Sequence, residues 1–104
     1  MNASLKAIAE PRRQEILRLV WSQERPAGEV ASHFDVSRPA ISKHLRILKE
    51  AGLIEERRIG TQRLYRARTE SLLEIRRFLE SFWDEGLLAI KRAAEGESED
   101  GTQR

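Results

Sequence analysis

"SRPAISKHLRILKEAG", residues 37–52, is the stretch on which the reading of this chain turns. Ser37 is a favoured helix N-cap. Pro39 falls in the first helical turn, where a missing N–H costs nothing. Gly52 suits the position just past a helix end. A helix over about residues 38–51 is therefore expected. On a helical wheel Ile41, Leu45 and Leu48 share one narrow arc, extended by Ala40, Ile47 and Ala51. Arg38, Pro39, Ser42, Arg46 and Lys49 take the opposite half, with Lys43 and the single acid Glu50 at its edge. A DNA major groove admits one α-helix, whose N-terminal residues reach base edges. This outer face fits that use, with Arg38 and Ser42 nearest the bases and Pro39 in apolar contact. Lys43, Arg46 and Lys49 are expected at phosphates. The plainer reading, a solvated basic face, is disfavoured by the turn and cap that precede it. His44 lies within the apolar arc, and a partly buried histidine bonded to backbone is favoured there over a base reader.

Upstream, Leu5, Ile8 and Ala9 have helical spacing, and Pro11 ends that helix and opens another. The second helix carries Ile16, Leu17, Val20 and Trp21 on one face. Arg12 and Arg13 open it, and a phosphate contact and a surface role are equally open for them. "QERPAG" is a connector rich in turn formers. A short helix presenting Val30, Ala31 and Phe34 follows, and then "DVS" as a three-residue turn into the helix at 38. Downstream the period changes. "LIEERRIGTQRLYRA" holds two short β-type runs around Gly60, a hairpin with its tip at Ile59–Gln62. A long helical pattern runs from Thr69 to about Ala94. The order is helix, helix, helix, turn, helix, hairpin, helix: a mostly α chain with a small β-hairpin, the layout of a winged helix-turn-helix.

The hairpin carries Arg57, Arg58, Arg63 and Arg66, with Arg68 just beyond. A basic hairpin beside a groove-reading helix suits the flanking backbone or minor groove. Charges also protect an edge strand from aggregation, a purpose that Glu55 and Glu56 fit. Arg58, Thr61, Gln62 and Arg63, at or near the tip, are the expected DNA contacts.

Composition agrees with this division of labour. Of the 104 residues, 39% are hydrophobic, enough for one small domain with a modest core. Residues 1–69 hold 14 Lys and Arg against 8 Asp and Glu, whereas residues 70–104 hold 5 against 9. The first part attracts a polyanion and the second does not. With no cysteine there is no disulfide, no thiolate and no Cys metal site. Two histidines without helical i+3 or i+4 spacing make a His-based metal site improbable. No G-x-S-x-G, no Gly-rich phosphate loop and no catalytic constellation are present, so neither an enzyme nor a cofactor is expected. No apolar run approaches the about 20 residues of a membrane helix, and the N-terminus lacks a signal-peptide core. A cytoplasmic location is expected. The tail "GESEDGTQR" is polar and acidic, and residues 95–104 are expected to be disordered, leaving 1–94 as the DNA-binding and dimerisation domain.

The last helix has two apolar flanks. Leu72, Ile75, Leu79, Phe82, Gly86 and Ile90 follow a 3-4 rhythm, and Leu73, Phe78, Trp83 and Leu87 form the second. One flank is expected to cover its own domain and the other to meet a second copy, because a two-fold dimer matches a palindromic site with half-sites about 34–36 Å apart. The expected partner residues here are Leu72, Ile75, Leu79, Phe82, Trp83 and Ile90. Gly86 would allow close approach of Trp83 or of the partner helix. Trp21, Phe78, Phe82 and Trp83 are expected as packing residues in preference to a ligand pocket.

The run "AIAEPRRQEILRLV … AGEVASHFDVSRPAISKHLRILKEAGLIEERRIGTQRLYRA", roughly residues 3–68, resembles the ArsR family of bacterial winged-helix repressors. Its most specific part is "SKHL" followed by "LKEAGLI". The resemblance implies a homodimer joined by the first and last helices, which adds Leu5 to the interface. It implies operator binding and repression, often of the protein's own operon, with Arg38, Pro39, Ser42, Lys43 and the residues near Gly60 at DNA. Many members sense metals through a Cys-x-Cys pair or through Asp and His on the last helix. Here those segments read "GEVASHF" and "ESLLEIRRFLESFWDEGLLAIKRAAE", which lack the ligands. An effector, small molecule or protein, stays unidentified. The alternative is a winged-helix protein-interaction module without operator specificity.

Overall fold

The helix expected from Ser37 to Gly52 is built as its ends dictate. In a computed structural model that describes residues 1–100, it is the fourth helix of the chain. The elements in order are α1 (Asn2–Ile8), α2 (Pro11–Val20), β1 (Arg25–Pro26), α3 (Ala27–Ser32), α4 (Arg38–Glu50), β2 (Ile54–Ile59), β3 (Gln62–Ala67) and α5 (Thr69–Asp100). The Ser37 side chain accepts from the Ala40 N–H at 3.3 Å, which caps α4. At the other end Gly52 has φ +78. The Gly52 N–H donates to the Lys49 carbonyl at 2.9 Å and the Leu53 N–H to the Leu48 carbonyl at 3.0 Å. This is a Schellman end, which uses the orphan carbonyls of the last turn. It also turns the chain so that Leu53, fully buried, enters the core ahead of β2.

Residues 1–73 form one compact unit and the chain from Glu74 onward a second. The first unit has the winged helix-turn-helix order. Its core joins Ile16, Leu17 and Val20 of α2, Val30 of α3, Ile41, Leu45 and Leu48 of α4, and Leu53, Ile54 and Tyr65 around the sheet. Ile41, Leu45 and Leu48 are at most 1% exposed, so the arc predicted on the wheel is the buried one. Each contributes about 1.5–3 kcal/mol by burial. They fix which face of α4 is left outside.

Side-chain hydrogen bonds anchor α1. Ser4 donates to the Ala51 carbonyl at 3.0 Å, Arg13 Nε to the Ala7 carbonyl at 2.7 Å, and Gln14 to the Ile8 carbonyl at 2.8 Å. Arg13 is thus a bracket between helices, bonded to carbonyls at the end of α1. Arg12 instead lies over the Phe34 ring, 4.9 Å from its centroid.

Three expectations are corrected. The sheet has three antiparallel strands, in the order β1-β3-β2, where a hairpin alone was expected. β1 is only Arg25–Pro26, paired with Tyr65 and Leu64. Two residues carry no periodic signal, and Pro26 is tolerated because the strand is at an edge. The third helix stops at Ser32, so the turn into α4 spans His33–Ser37 and is longer than "DVS". The last helix continues to Asp100, past Ala94. Of the expected acidic tail, residues 101–104 lie outside the described residues.

In the second unit, α5 carries exposed residues from both of its apolar flanks. Leu79, Phe82, Trp83, Leu87 and Ile90 are 44–64% exposed. Ile75 is 5% exposed and has no free surface to offer. Phe78 stacks on Phe82 at a centroid distance of 6.2 Å, and Trp83 lies tilted against Phe82 at 6.4 Å. No side chain approaches the β-carbon position of Gly86 within 4 Å, so Trp83 does not close on it.

Candidate nucleic-acid interface

The outer face of α4 and the tip of the hairpin border one open cleft of about 730 Å³. From α4 it is lined by Arg38, Ser42, Arg46 and Lys49, and from the hairpin by Thr61, Gln62 and Arg63. Seven of the residues expected at DNA therefore meet at one place, although they come from two separate segments, 38–49 and 61–63. Pro39, Lys43 and Arg58 are exposed but line the surface beyond the cleft.

The position of the hairpin follows from its turn. Ile59 pairs with Gln62, so Gly60 and Thr61 form a two-residue loop. Gly60 has φ +60 and no other residue in the loop has positive φ. Glycine at the first central position alone is the pattern of a II′ turn, which matches the twist of the strands. Strand alternation then places Glu56, Arg58, Arg63 and Tyr65 on one face, and Glu55, Arg57, Leu64 and Arg66 on the other.

The charges of the site fall into two groups. Among the described residues, Arg38, Lys43, Arg46 and Arg58 have no ion-pair partner. The Arg38 guanidinium lies along Gly28, where a β-carbon would sit 3.8 Å from its terminal nitrogens. The other cations are held. Arg57 makes two hydrogen bonds of 2.7 Å to Glu24, a bidentate pair across 33 residues of sequence. Those bonds hold the Glu24 carboxyl below its ordinary range and raise the Arg57 guanidinium. Arg66 is hydrogen-bonded to Glu55 on the same face of the hairpin.

Glu56 is the centre of the remaining set. It accepts from Lys49 Nζ at 3.3 Å and from the Tyr65 hydroxyl at 3.0 Å, with Arg63 at 3.9 Å. Partial desolvation opposes its charge, but the Tyr65 and Lys49 hydrogen bonds and the Arg63 charge outweigh it and hold the carboxyl below the usual carboxylate range. Burial, followed by the bond to Glu56, pushes the Tyr65 hydroxyl up. From sequence alone Glu56 suits only edge protection. The signal that would have found it is its register opposite Tyr65, which needs the hairpin alignment.

His44 is part-buried, as expected, but its partners are side chains. Its Nδ1 lies 3.3 Å from Arg13 Nη1 and 3.9 Å from Glu10 Oε2. Glu10 also caps α2 by accepting from the Arg13 N–H at 3.1 Å. Desolvation opposes the Glu10 charge, but backbone N–H groups of Arg12 and Arg13 and the nearby His44 and Arg13 lower its carboxyl overall. His44 therefore braces α4 against α2. Among the described residues, no three His, Asp or Glu side chains lie close enough together to hold a metal ion. No helix among them is long and apolar enough to cross a membrane.

Comparison with known proteins places this architecture. Residues 10–56 match the family described as "Bacterial regulatory protein, arsR family". The transcriptional repressor SdpR of Bacillus subtilis (strain 168) is 38% identical over 86 residues, which span 83% of this chain and 96% of SdpR. The solved structure of an ArsR-like transcriptional regulator from Rhodococcus sp. RHA1 superposes with a TM-score of 0.73 at 35% identity, covering 89% of this chain and 91% of that one. A homodimeric winged helix-turn-helix DNA-binding domain from Mycobacterium bovis, described as a possible ArsR-family transcriptional regulator, superposes with a TM-score of 0.65 at 32% identity, covering 83% and 80%. These likenesses run through the capped α4, the hairpin and the helices that seat them, and the chain belongs to the ArsR family of bacterial transcriptional regulators.

Proposed function

We propose that this protein is a cytoplasmic transcriptional repressor that binds a two-fold symmetric DNA site as a homodimer and acts by excluding polymerase. One observation carries the reading. The exposed face of α4 presents Arg38, Lys43 and Arg46 without partners among the described residues, and it opens onto the hairpin tip. Arg38 and Ser42, on the first turns of α4, read base edges, with Pro39 in apolar contact. Lys43, Arg46 and Arg58 contact phosphates, and Thr61 and Gln62 approach the flanking groove. Lys49 and Arg63 border the same cleft while paired to Glu56.

Residues 1–94 make up the working domain. Leu5, Leu72, Leu79, Phe82, Trp83 and Ile90 serve dimerisation, with Ile75 behind them. Support comes from the exposed aromatic and aliphatic residues of α5, which exceed what scattered surface apolar groups require, and from the relative in Mycobacterium bovis, which is described as homodimeric. Release from DNA is left to a small molecule, a partner protein or the repressor's own concentration. No catalytic step, cofactor or metal enters this account.

The test is selection of bound fragments from the source genome by purified protein at near-physiological salt. A recovered palindrome, with preference for it lost in Arg38→Ala/Ser42→Ala while the dimer persists in solution, is the expected result. Each lost base contact is worth about 1–3 kcal/mol of discrimination. Recovery of no enriched sequence would leave a protein-interaction module as the better account.

A further inference from the structure

The cleft contains a carboxylate where a DNA-binding surface is expected to be basic. Glu56 projects from β2 toward α4, with its side chain 18% exposed, and takes up one cation from each wall: Lys49 at 3.3 Å and Arg63 at 3.9 Å. An isolated exposed ion pair contributes little, because water and side-chain entropy offset it. This one is not isolated. The carboxylate is oriented by the hydroxyl of Tyr65, 3.0 Å away, which lies directly opposite it in the strand register and is 6% exposed. A rigid donor on a buried ring sets one oxygen, and the other faces Lys49. Arg58 lies opposite Arg63 on the same face, a like-charge pair that Glu56 relieves from one side only.

We propose that Glu56 is a specificity-determining residue that keeps Lys49 and Arg63 from neutralising the phosphates of arbitrary DNA. This inference rests on the DNA-binding reading of the cleft. Affinity for any duplex grows with the number of phosphates neutralised, and that part of binding carries no sequence information. A carboxylate that occupies two cations at the floor of the cleft removes two such contacts. It also places a negative charge toward a polyanion, so that a duplex enters closely only when base-edge contacts from Arg38 and Ser42 offset the repulsion. Glu56 thereby lowers non-operator binding more than operator binding.

The experiment compares wild type and Glu56→Gln on a random-sequence duplex and on the selected operator, across salt concentrations. Gln keeps the acceptor for Tyr65 and loses the charge. With two cations freed, the slope of log K against log salt on random duplex steepens by up to about 1.8, and affinity there rises by roughly tenfold. The ratio of operator to random affinity falls. Adding Lys49→Ala to Glu56→Gln returns about half of the gained slope. Weaker binding to both duplexes with an unchanged slope would overturn the proposal and make Glu56 a prop for the hairpin. An unchanged protein would overturn it as well.

A second readout uses wild type alone. Lysine acylation followed by mass spectrometry should show that random duplex protects Lys43 and leaves Lys49 as it was. Equal protection of both lysines would overturn the proposed role of Glu56, whereas protection of neither would instead count against the DNA-binding reading itself.

Discussion

Helix α4 and the hairpin are both basic, yet their charges are disposed differently. On α4, Arg38, Lys43 and Arg46 have no partner among the described residues, and only Lys49 is engaged. On the hairpin, Arg57, Arg63 and Arg66 are all paired with acids, and only Arg58 is free among the described residues. Counting arginines would make the two surfaces equivalent. Pairing separates them: among the described residues the helix leaves most of its cations without an acid, while the hairpin uses most of its own to hold its position against Glu24 and against α4. The shape of each element explains why. A helix seated by Ile41, Leu45 and Leu48 needs no help from its outer face. A two-residue loop on two short strands has little core beneath it, so cross-strand and long-range pairs stabilise it.

The comparison breaks most completely if the helix loses its seat. Leu45→Ala should cost about 2–5 kcal/mol of stability in denaturant unfolding, because the side chain is 1% exposed and the space cannot fully collapse. DNA binding would fall with it. A smaller effect, confined to the other side, is expected from Gly60→Val. A β-branched residue at φ +60 costs about 1–2 kcal/mol in backbone strain. Here the hairpin contacts should weaken while α4 stays folded, seen as amide-exchange protection lost in β2 and β3 only. Ser37→Ala removes one cap bond and should lower stability by about 1 kcal/mol, with fraying at the first turn of α4 where Arg38 and Ser42 sit. An unchanged melting temperature would mean that the cap carries nothing.

The smallest expected effect is on pH dependence. Glu56 and Glu10 titrate below the ordinary value of 4.5 in the folded protein. Near that pH the unfolded chain therefore binds more protons than the folded one. Their stabilisation is complete above about pH 4.5 and is lost as the pH falls through the lower folded values. Acid unfolding of Glu56→Gln should accordingly be less steep than that of wild type.

Much of this was readable from sequence where local chemistry sets the structure. Ser37, Pro39 and Gly52 mark the ends of α4 through caps that involve neighbours only a few residues away, and the period of its apolar residues names the buried face. Gly60 marks the hairpin tip for the same reason. What failed to be legible depends on partners distant in sequence. β1 exists because Arg25 and Pro26 meet Tyr65 and Leu64, about forty residues on. Arg13 looks like a surface cation until the C-terminal carbonyls of α1 fold onto it. Arg57 and Glu24 have no reason to be associated before the sheet forms. Glu56 is the clearest case: as one of two adjacent acids it reads as surface charge, and only the register opposite Tyr65 and the approach of Lys49 give it a role.

The most direct measurement removes equal charge from the two surfaces. Lys43→Gln/Arg46→Gln and Arg57→Gln/Arg66→Gln each delete two positive charges, and each variant is titrated with a random-sequence duplex over a range of salt. If the helix holds the free cations and the hairpin the paired ones, the slope of log K against log salt becomes shallower by about 1.8 in the first variant and stays at the wild-type value in the second. Equal loss of slope in both, or loss only in the hairpin variant, would contradict this account of the interface.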